Sequence, residues 1–299
     1  MPERCDILGF ADGRIWDLSG RTRILGILNV TSDSFSDGGR FLDPESAVAR
    51  GLAMVLEGAD AIDVGGESTR PGADPVPAAE EMRRVVAVIR ELRLQLDRRP
   101  AAAGADRVRI SVDTMKAAVA EAAIGAGADI VNDVTALRGD PAMAPLLART
   151  GAAAVLMHMR GSPKTMQDDP RYDDLMGEIA EELAGSLRVA REAGVRDDRI
   201  AIDPGIGFGK TAEQNFEILA RLRTLAVLAR PLLVGVSRKS FLGTATGLPV
   251  DQRLEASLAA GAAALMNGAS LLRVHDVDAT VRMVRVIDEI RRRREPLTR

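Results

Sequence analysis

The feature that most constrains the fold of this chain is a regular alternation of short apolar runs with longer helical patterns. Eight such runs occur, and polar or glycine-rich residues follow each of them: Ile24–Val30, Ala59–Val64, Val108–Val112, Ile130–Val134, Ala153–Met157, Ile200–Ile202, Leu232–Val236 and Leu271–Val274. Apolar runs of this length are typical of parallel strands that are covered on both faces, since neither face then meets water. The alternation therefore predicts repeated strand–helix units.

The segments between the runs carry amphipathic helix patterns. In one of them, Val85, Ile89 and Leu92 recur at helical spacing and form a single apolar stripe. The predicted helices are Pro44–Leu56, Pro77–Leu96, Lys116–Ile124, Pro141–Arg149, Asp173–Glu192, Glu213–Leu228, Gln252–Asn267 and Ala279–Arg294. Eight strand–helix units favour a closed (β/α)8 TIM barrel over the alternative, an open doubly wound sheet.

Length and composition agree with a single barrel domain over residues 1–299. A barrel of this class typically needs about 250 residues. Aromatic residues make up only 3% of a chain that is 46% hydrophobic, so its core must be aliphatic, as barrel interiors are. Residues 1–22 precede the first run, and the turn-like Ala11-Asp12-Gly13 within Ile7–Arg21 predicts a short β-hairpin that covers one end of the barrel.

Charge and patterning exclude several classes of partner. The net charge is −3 and the isoelectric point is about 5.6, so no global field attracts nucleic acid or an anionic membrane. No apolar stretch reaches the length of a membrane span, and the first residues lack the apolar core of a secretory signal. Cys5 is the single cysteine, which suits a reducing compartment. We therefore expect a soluble, cytoplasmic protein.

Polar side chains end the apolar runs, and in a barrel these ends meet at the C-terminal rim, where barrel enzymes have their active sites. The residues at or just beyond these ends include Asn29, Asp63, Asp113, Asn132, His158, Asp203, Lys239, Arg273 and His275. Each of them alone could equally be a helix cap or a rim hydrogen bond. Capping does not explain why cations converge there as well, so the set as a whole favours a binding site.

The chemistry of these residues divides in two. Asp113, Asn132, Asp203 and Lys239 offer carboxylates, an amide and a cation, which suit a flat heterocycle rich in N–H and C=O groups. A second set suits phosphate, because its members are cationic donors and one hard oxygen ligand for a phosphate-bound Mg2+: Arg70, Arg273, His275 and Asn29. The glycine-rich Pro204–Lys210 lacks the spacing of a P-loop.

Eight segments of the sequence, taken in order, resemble segments of the dihydropteroate synthases, a family of pterin-binding barrels. The resemblance extends from about Ile24 to Ile290. The segments are Asn29–Gly39, Gly66–Gly72, Ser111–Thr114, Asn132-Asp133, Met157–Met159, Asp203–Lys210, Ser237–Ser240 and Arg273–Asp276. The resemblance implies a TIM barrel, usually a homodimer, that acts in folate biosynthesis. Its substrates would be 6-hydroxymethyl-7,8-dihydropterin pyrophosphate and p-aminobenzoate, with Mg2+ as cofactor and sulfonamides as competitors.

The resemblance also implies roles for individual residues. The pterin would be held by Asp113, Asn132, Asp203 and Lys239, and the pyrophosphate by Arg273, His275 and Asn29, with Asn29 also as the metal ligand. The p-aminobenzoate site would be formed by Thr69, Arg70, Pro71, Phe208 and Ser240, beside the first-loop residues Asp33, Phe35 and Asp37. The residues expected to act in catalysis are Asn29, Arg70, Lys239, Arg273 and His275. Ser32 departs from the proline that is frequent in this loop, which predicts a more mobile loop.

Three other functions remain open from the residues themselves. A pterin-dependent methyltransferase that passes a methyl group to a corrinoid would need no pyrophosphate site, so Arg273 and His275 argue against it. A non-enzymatic paralogue would not need an intact set of site residues. An unrelated sugar-phosphate barrel should place a glycine-rich phosphate site after its last two strands, where this chain has Ser237-Arg238-Lys239. His158, between two methionines, fits a barrel-lining role and a catalytic role equally well.

Overall fold

The computed structural model describes residues 6–31, 44–69, 72–99, 106–161, 165–167 and 170–293. Two short strands, β1 and β2, form an antiparallel hairpin that precedes eight parallel strands. Their bounds are β1 Ile7–Gly9, β2 Ile15–Asp17, β3 Arg23–Asn29, β4 Ala61–Gly65, β5 Arg109–Asp113, β6 Ile130–Asp133, β7 Ala153–Met157, β8 Ile200–Asp203, β9 Leu233–Val234 and β10 Leu271–Val274. Each apolar run therefore became a strand, with ends that differ from the prediction by two residues at most.

The eight parallel strands form a nearly closed barrel. Their order is β8-β7-β6-β5-β4-β3-β10-β9, so the first barrel strand pairs with the last one. An isolated parallel bridge between Ile202 and Leu232 joins β8 to β9 and brings the two ends of the sheet together. The (β/α)8 prediction is therefore confirmed, because an open doubly wound sheet leaves free edges that do not meet.

Helices surround the barrel and contact their neighbours in turn, from α1 round to α9, which packs against α1. Their bounds are α1 Pro44–Glu57, α2 Ala78–Arg98, α3 Ala117–Gly125, α4 Met143–Thr150, α5 Leu175–Glu192, α6 Ala212–Arg221, α7 Ser240–Thr246, α8 Leu254–Met266 and α9 Val277–Arg292. Among the described helices, none combines the length and the apolar character that crossing a membrane requires.

Two details differ from the predicted helices. The segment predicted as one helix over Glu213–Leu228 changes at Arg221 into a 3-10 helix, Leu222–Leu228. Leu222 and Leu225 are both buried, and a three-residue period places them on one side of the tighter helix. Helix α7 was not predicted, because its threonines and glycine are poor helix formers; the burial of Phe241 and Leu242 stabilises it.

The N-terminal hairpin covers the end of the barrel where the strands begin, as predicted. Its side chains Leu8, Phe10, Trp16 and Leu18 form one buried cluster with barrel residues such as Leu25, Ala61, Ile130, Ala153, Ala201 and Leu271. The guanidinium of Arg109, at the start of β5, lies 3.8 Å from the centre of the Phe10 ring. It also donates to Asp12 at 2.9 Å, in the hairpin turn. With this end closed, the opposite rim is left for a site.

Candidate functional site

Arg273 on β10 joins side chains from three other strands at the C-terminal mouth of the barrel. Its Nε donates to Oδ2 of Asp63 at 2.5 Å, and its Nη2 donates to Oδ2 of Asp113 at 2.6 Å. Asn132 Nδ2 donates to the same Asp63 oxygen at 3.2 Å. Residues from β4, β5, β6 and β10 therefore form one hydrogen-bonded group, although Arg273 and Asp63 are 210 positions apart.

Two buried carboxylates share this one guanidinium. Burial, assisted by the negative charge of Asp63, raises the pKa of Asp113 despite the opposing effect of Arg273. Burial disfavours the charge on Arg273, but Asp63 and Asp113 outweigh that effect and hold its pKa above the ordinary value. Among the described residues, no group donates to the buried Oδ1 of Asp63 or of Asp113. Such an acceptor is costly unless it is paired, so these oxygens suit the N–H groups of a bound heterocycle.

Asp203 and Lys239 form the second half of the same mouth. Oδ1 of Asp203 accepts from the backbone N–H of Gly205 at 2.7 Å, and burial raises the pKa of this carboxyl. The Lys239 ammonium donates to the carbonyl of Ile206 and lies 4.6 Å from the centre of the Phe208 ring. Burial lowers the pKa of Lys239 to about 8, although the charge of Asp203 opposes the shift.

Local backbone geometry aims Lys239 into the mouth. The preceding residue, Arg238, has a φ of 60°, a left-handed conformation that is unusual for a residue with a side chain. Its backbone N–H donates to Ser257 Oγ at 2.9 Å, and its guanidinium Nε donates to Asp276 at 3.0 Å. These contacts hold a strained turn directly before Lys239, and such strain is common at ligand sites.

The loop after β8 passes close under the site because of one glycine. Gly205 has a φ of 71°, and a Cβ at this position would lie 1.8 Å from the carbonyl oxygen of His158. No other residue fits there. The close approach brings Asp203 and Phe208 to the same side of the barrel mouth as Lys239.

His158 lies behind this loop and not on the open rim. Its Nδ1 is 2.9 Å from the ammonium of Lys210, and its Nε2 is 3.4 Å from Oε2 of Glu182. Lys210 also donates to the carbonyl of Phe208 at 2.9 Å. Burial lowers the pKa of His158 to about 4. This placement favours the barrel-lining interpretation over the catalytic one.

The residues predicted to bind phosphate lie on the neighbouring strand ends. The His275 backbone N–H donates to Ser237 Oγ at 3.2 Å, and its ring Nδ1 lies 3.0 Å from the same hydroxyl. Asn29, at the end of β3, is half-buried. Its Oδ1 and Asp113 Oδ2 are each 3.7 Å from the point where a Cβ on Gly65 would be. The missing side chain of Gly65 therefore leaves space between an amide oxygen and a carboxylate.

A metal ion at this place would need oxygen atoms from a ligand. Within the described part of the chain, no group of three or more His, Cys, Asp or Glu side chains could hold a metal by itself. Asn29 offers one hard oxygen beside Asp113, which fits Mg2+ when a phosphate supplies further oxygens. The donor chemistry therefore agrees with a metal that enters with a phosphorylated substrate.

The remaining predicted residues are only partly covered by the structure. Thr69 is half-buried after β4, Ser240 begins α7, and Phe208 packs against a small cluster of Val134 and methionine side chains. The predicted residues Asp33, Phe35, Asp37, Arg70 and Pro71, together with Ser32, lie outside the described residues.

Sequence reasoning did not assign a role to Asp63, although this residue ends the second apolar run. The sequence does contain an indication of its role, because an acidic side chain within an otherwise apolar strand needs a partner. Its importance became visible only when the fold placed it between Arg273 and Asn132.

Comparisons with known proteins agree on one family. The family model described as pterin binding enzyme matches residues 25–275. The dihydropteroate synthase of a Synechocystis strain is 43% identical over 277 residues, which cover 92% of each chain. The Xanthomonas albilineans dihydropteroate synthase, solved with 4-aminobenzoic acid, aligns with a TM-score of 0.85 and 44% identity over 96% of this chain and 98% of its own. The Yersinia pestis enzyme, solved as a sulfonamide drug complex, gives a TM-score of 0.87 and 42% identity over 96% and 99%.

Proposed function

The chain belongs to the pterin-binding enzyme family, and from this premise we infer that it catalyses the dihydropteroate synthase reaction of folate biosynthesis. The enzyme joins 6-hydroxymethyl-7,8-dihydropterin pyrophosphate to p-aminobenzoate and releases 7,8-dihydropteroate and pyrophosphate. One observation of its own structure carries the proposal: the buried acceptor oxygens of Asp63 and Asp113 lie beside the cation Arg273 at the barrel mouth. A pterin with an anionic tail needs acceptor oxygens for its ring N–H groups and a cation for its tail, and the two must lie close together.

We propose that Asp113, Asn132, Asp203 and Lys239 bind the pterin ring. The carboxylates accept from its N–H groups, and the amide and the ammonium donate to its carbonyl and ring nitrogen atoms. The raised pKa values of Asp113 and Asp203 support this, because hydrogen bonds from a ligand replace the water that burial removed.

Arg273, His275 and Asn29 hold the pyrophosphate in this proposal, with Mg2+ bound through Asn29. When bound, Mg2+ supplies positive charge that stabilises the leaving pyrophosphate. Arg273 does the same through its guanidinium, whose raised pKa keeps it charged throughout the working range of pH. If the metal role is right, chelation abolishes turnover and added Mg2+ restores it.

The amine substrate is proposed to bind beside the loops after β4 and β8. The residues proposed for this site are Thr69, Arg70, Pro71, Phe208 and Ser240, together with the first-loop residues Asp33, Phe35 and Asp37. The aniline nitrogen attacks the methylene carbon of the pterin as the bond to pyrophosphate breaks, and the nitrogen then loses a proton. The protein needs to align the two substrates and exclude water, which does not require a nucleophilic side chain. Sulfonamides compete at this position.

We further propose a cytoplasmic homodimer, an expectation that rests on the family resemblance. Exposed apolar side chains between α7 and α8, Leu248 and Val250, are candidates for burial in such a contact. The molar mass in solution, measured by light scattering across a range of concentrations, tests the dimer. A mass that stays near 31.8 kDa throughout would overturn it.

The decisive experiment measures pyrophosphate release from purified protein that is given the pterin pyrophosphate and Mg2+, with and without p-aminobenzoate. Release that depends on the amine and yields 7,8-dihydropteroate establishes the synthase. Binding of the pterin without release would instead favour a non-enzymatic paralogue. Methyl transfer from a folate to a corrinoid, measured in parallel, would favour the methyltransferase.

A further inference from the structure

Three charged side chains meet beside the chain segment that follows β4, and none of them is assigned to the pterin or the pyrophosphate. The ammonium of Lys116 donates to Oε2 of Glu67 and, at 2.5 Å, to Oε2 of Glu81. The Glu81 side chain, on α2, is fully buried, and that of Glu67 is 7% exposed. We call these three residues the Glu67 cluster.

The second carboxylate oxygen of Glu67 reaches across the segment. Oε1 accepts from the backbone N–H of Val76 at 3.1 Å, nine positions further along the chain. Glu67 therefore ties the start of the segment to its end, and Lys116 ties both to the beginning of α3. On the other side, Arg84 of α2 donates to the carbonyl of Gly66 at 2.9 Å. The chain on either side of Thr69 is thus held at defined points.

Stability alone explains this arrangement poorly. Burial raises the pKa of Glu81 even though Lys116 donates to it, so the cluster contains a carboxylate that is costly to keep charged. Buried ion pairs generally contribute little more to stability than well-packed apolar residues, whereas they define geometry closely. Among the described residues, the cluster forms no hydrogen bond or ion pair with a residue assigned to the pterin, although the charge of Glu81 adds to the effect of burial on the pKa of Asp113. Thr69 follows Glu67 by two positions.

We propose that Glu67 is a positioning residue for the p-aminobenzoate half of the site, because its bonds to Lys116 and Val76 fix the position of Thr69. This inference rests on the proposed function. The two substrates should therefore be affected differently. Loss of the bridge displaces the p-aminobenzoate contacts and leaves the Asp113–Arg273 side of the mouth intact.

The test compares Glu67→Ala, which loses both bonds, with Glu67→Gln, whose amide oxygen still accepts from Val76. In Glu67→Ala, Lys116 keeps Glu81 as its partner, so no buried charge is left unpaired. We expect the KM for p-aminobenzoate to rise about tenfold or more in Glu67→Ala, since small misplacements of a positioned substrate are costly. The KM for the pterin pyrophosphate stays within about twofold, and Glu67→Gln recovers part of the loss.

Glu217→Gln is the matched control, because Glu217 also forms an ion pair, with Arg221, but lies on the exposed face of α6. Its kinetic constants should equal those of the unsubstituted enzyme. Hydrogen–deuterium exchange gives a readout that does not depend on activity: the peptide that contains Val76 should exchange faster in Glu67→Ala.

An equal rise in both KM values, or unchanged exchange at Val76, would overturn the proposal. If Glu67→Ala does not fold, Glu67→Gln decides the question by the same comparison of the two KM values. Failure of the proposed function is recognised separately, because the unsubstituted enzyme would then form no 7,8-dihydropteroate while the exchange measurement would still report on the bridge.

Discussion

At the scale of single residues, the mouth of the barrel has more buried carboxylates than cations among the candidate site residues. Arg273 is the shared partner of Asp63 and Asp113, so two buried carboxylates divide one guanidinium. This imbalance leaves acceptor oxygens free for a ligand and raises the pKa of Asp113. Asp63 also fixes the orientation of Arg273 through its other carboxylate oxygen.

We expect Asp63→Asn to lower kcat/KM for the pterin pyrophosphate by about ten- to a hundredfold, because Arg273 then loses the charge that orients it. Steady-state kinetics measure the effect. Asp278→Asn is the control, since Asp278 pairs with Arg282 on the exposed surface of α9. A value of kcat/KM for Asp63→Asn within twofold of the unsubstituted enzyme would remove Asp63 from the site.

Lys239→Ala should weaken binding of the pterin pyrophosphate by about a hundredfold, since loss of a hydrogen bond from a charged donor costs up to ~3 kcal/mol. Calorimetric titration measures the dissociation constant directly. Unchanged binding would contradict the role assigned to this lysine.

His158 makes the stability of the fold depend on pH. Its pKa in the folded protein, about 4, lies below the ordinary value of 6.5. At a pH between these two values, His158 is therefore protonated in the unfolded chain and neutral in the folded protein. Stability is therefore lost as the pH falls from about 6.5 to about 4, by roughly 3 kcal/mol at most. Urea unfolding at several pH values should show a flatter dependence for His158→Gln. An equally flat dependence for His275→Gln would show that the effect is not specific to the buried histidine.

At the scale of elements, the two ends of the barrel differ in what covers them. The hairpin β1–β2 covers the end where the strands begin, and the side chains of the candidate site lie at the other end. Most element positions were predictable because apolar runs and amphipathic helix patterns are both visible in consecutive residues. The 3-10 segment after α6 and the short helix α7 were not, since burial of Leu222, Leu225 and Phe241 by other elements decides their form.

Trp16→Ala should destabilise the protein by about 3–5 kcal/mol, the usual cost of truncating a buried aromatic residue. The Trp16 side chain is 1% exposed and meets the Phe10 ring edge-on at 5.1 Å between centres. Because the hairpin lies at the opposite end from the site, kcat should change little while the protein remains folded. Denaturant unfolding checks the first expectation, and Ile15→Ala, at a position 52% exposed, should cost far less. A kcat that falls in parallel with stability would show that the two ends are coupled.

At the scale of the whole molecule, the amino-acid sequence by itself determined the number of strand–helix units, the hairpin and the set of polar residues at the strand ends. These features follow from local patterns, since a run of consecutive residues indicates both that a strand is buried on two faces and where it ends. Only the tertiary structure decided which of these residues meet. Closure of the barrel places Arg273 between Asp63 and Asp113, 210 and 160 positions away, and puts His158 behind the loop of Lys210. Such contacts depend on strand order and side-chain direction around a closed sheet, which no local pattern specifies.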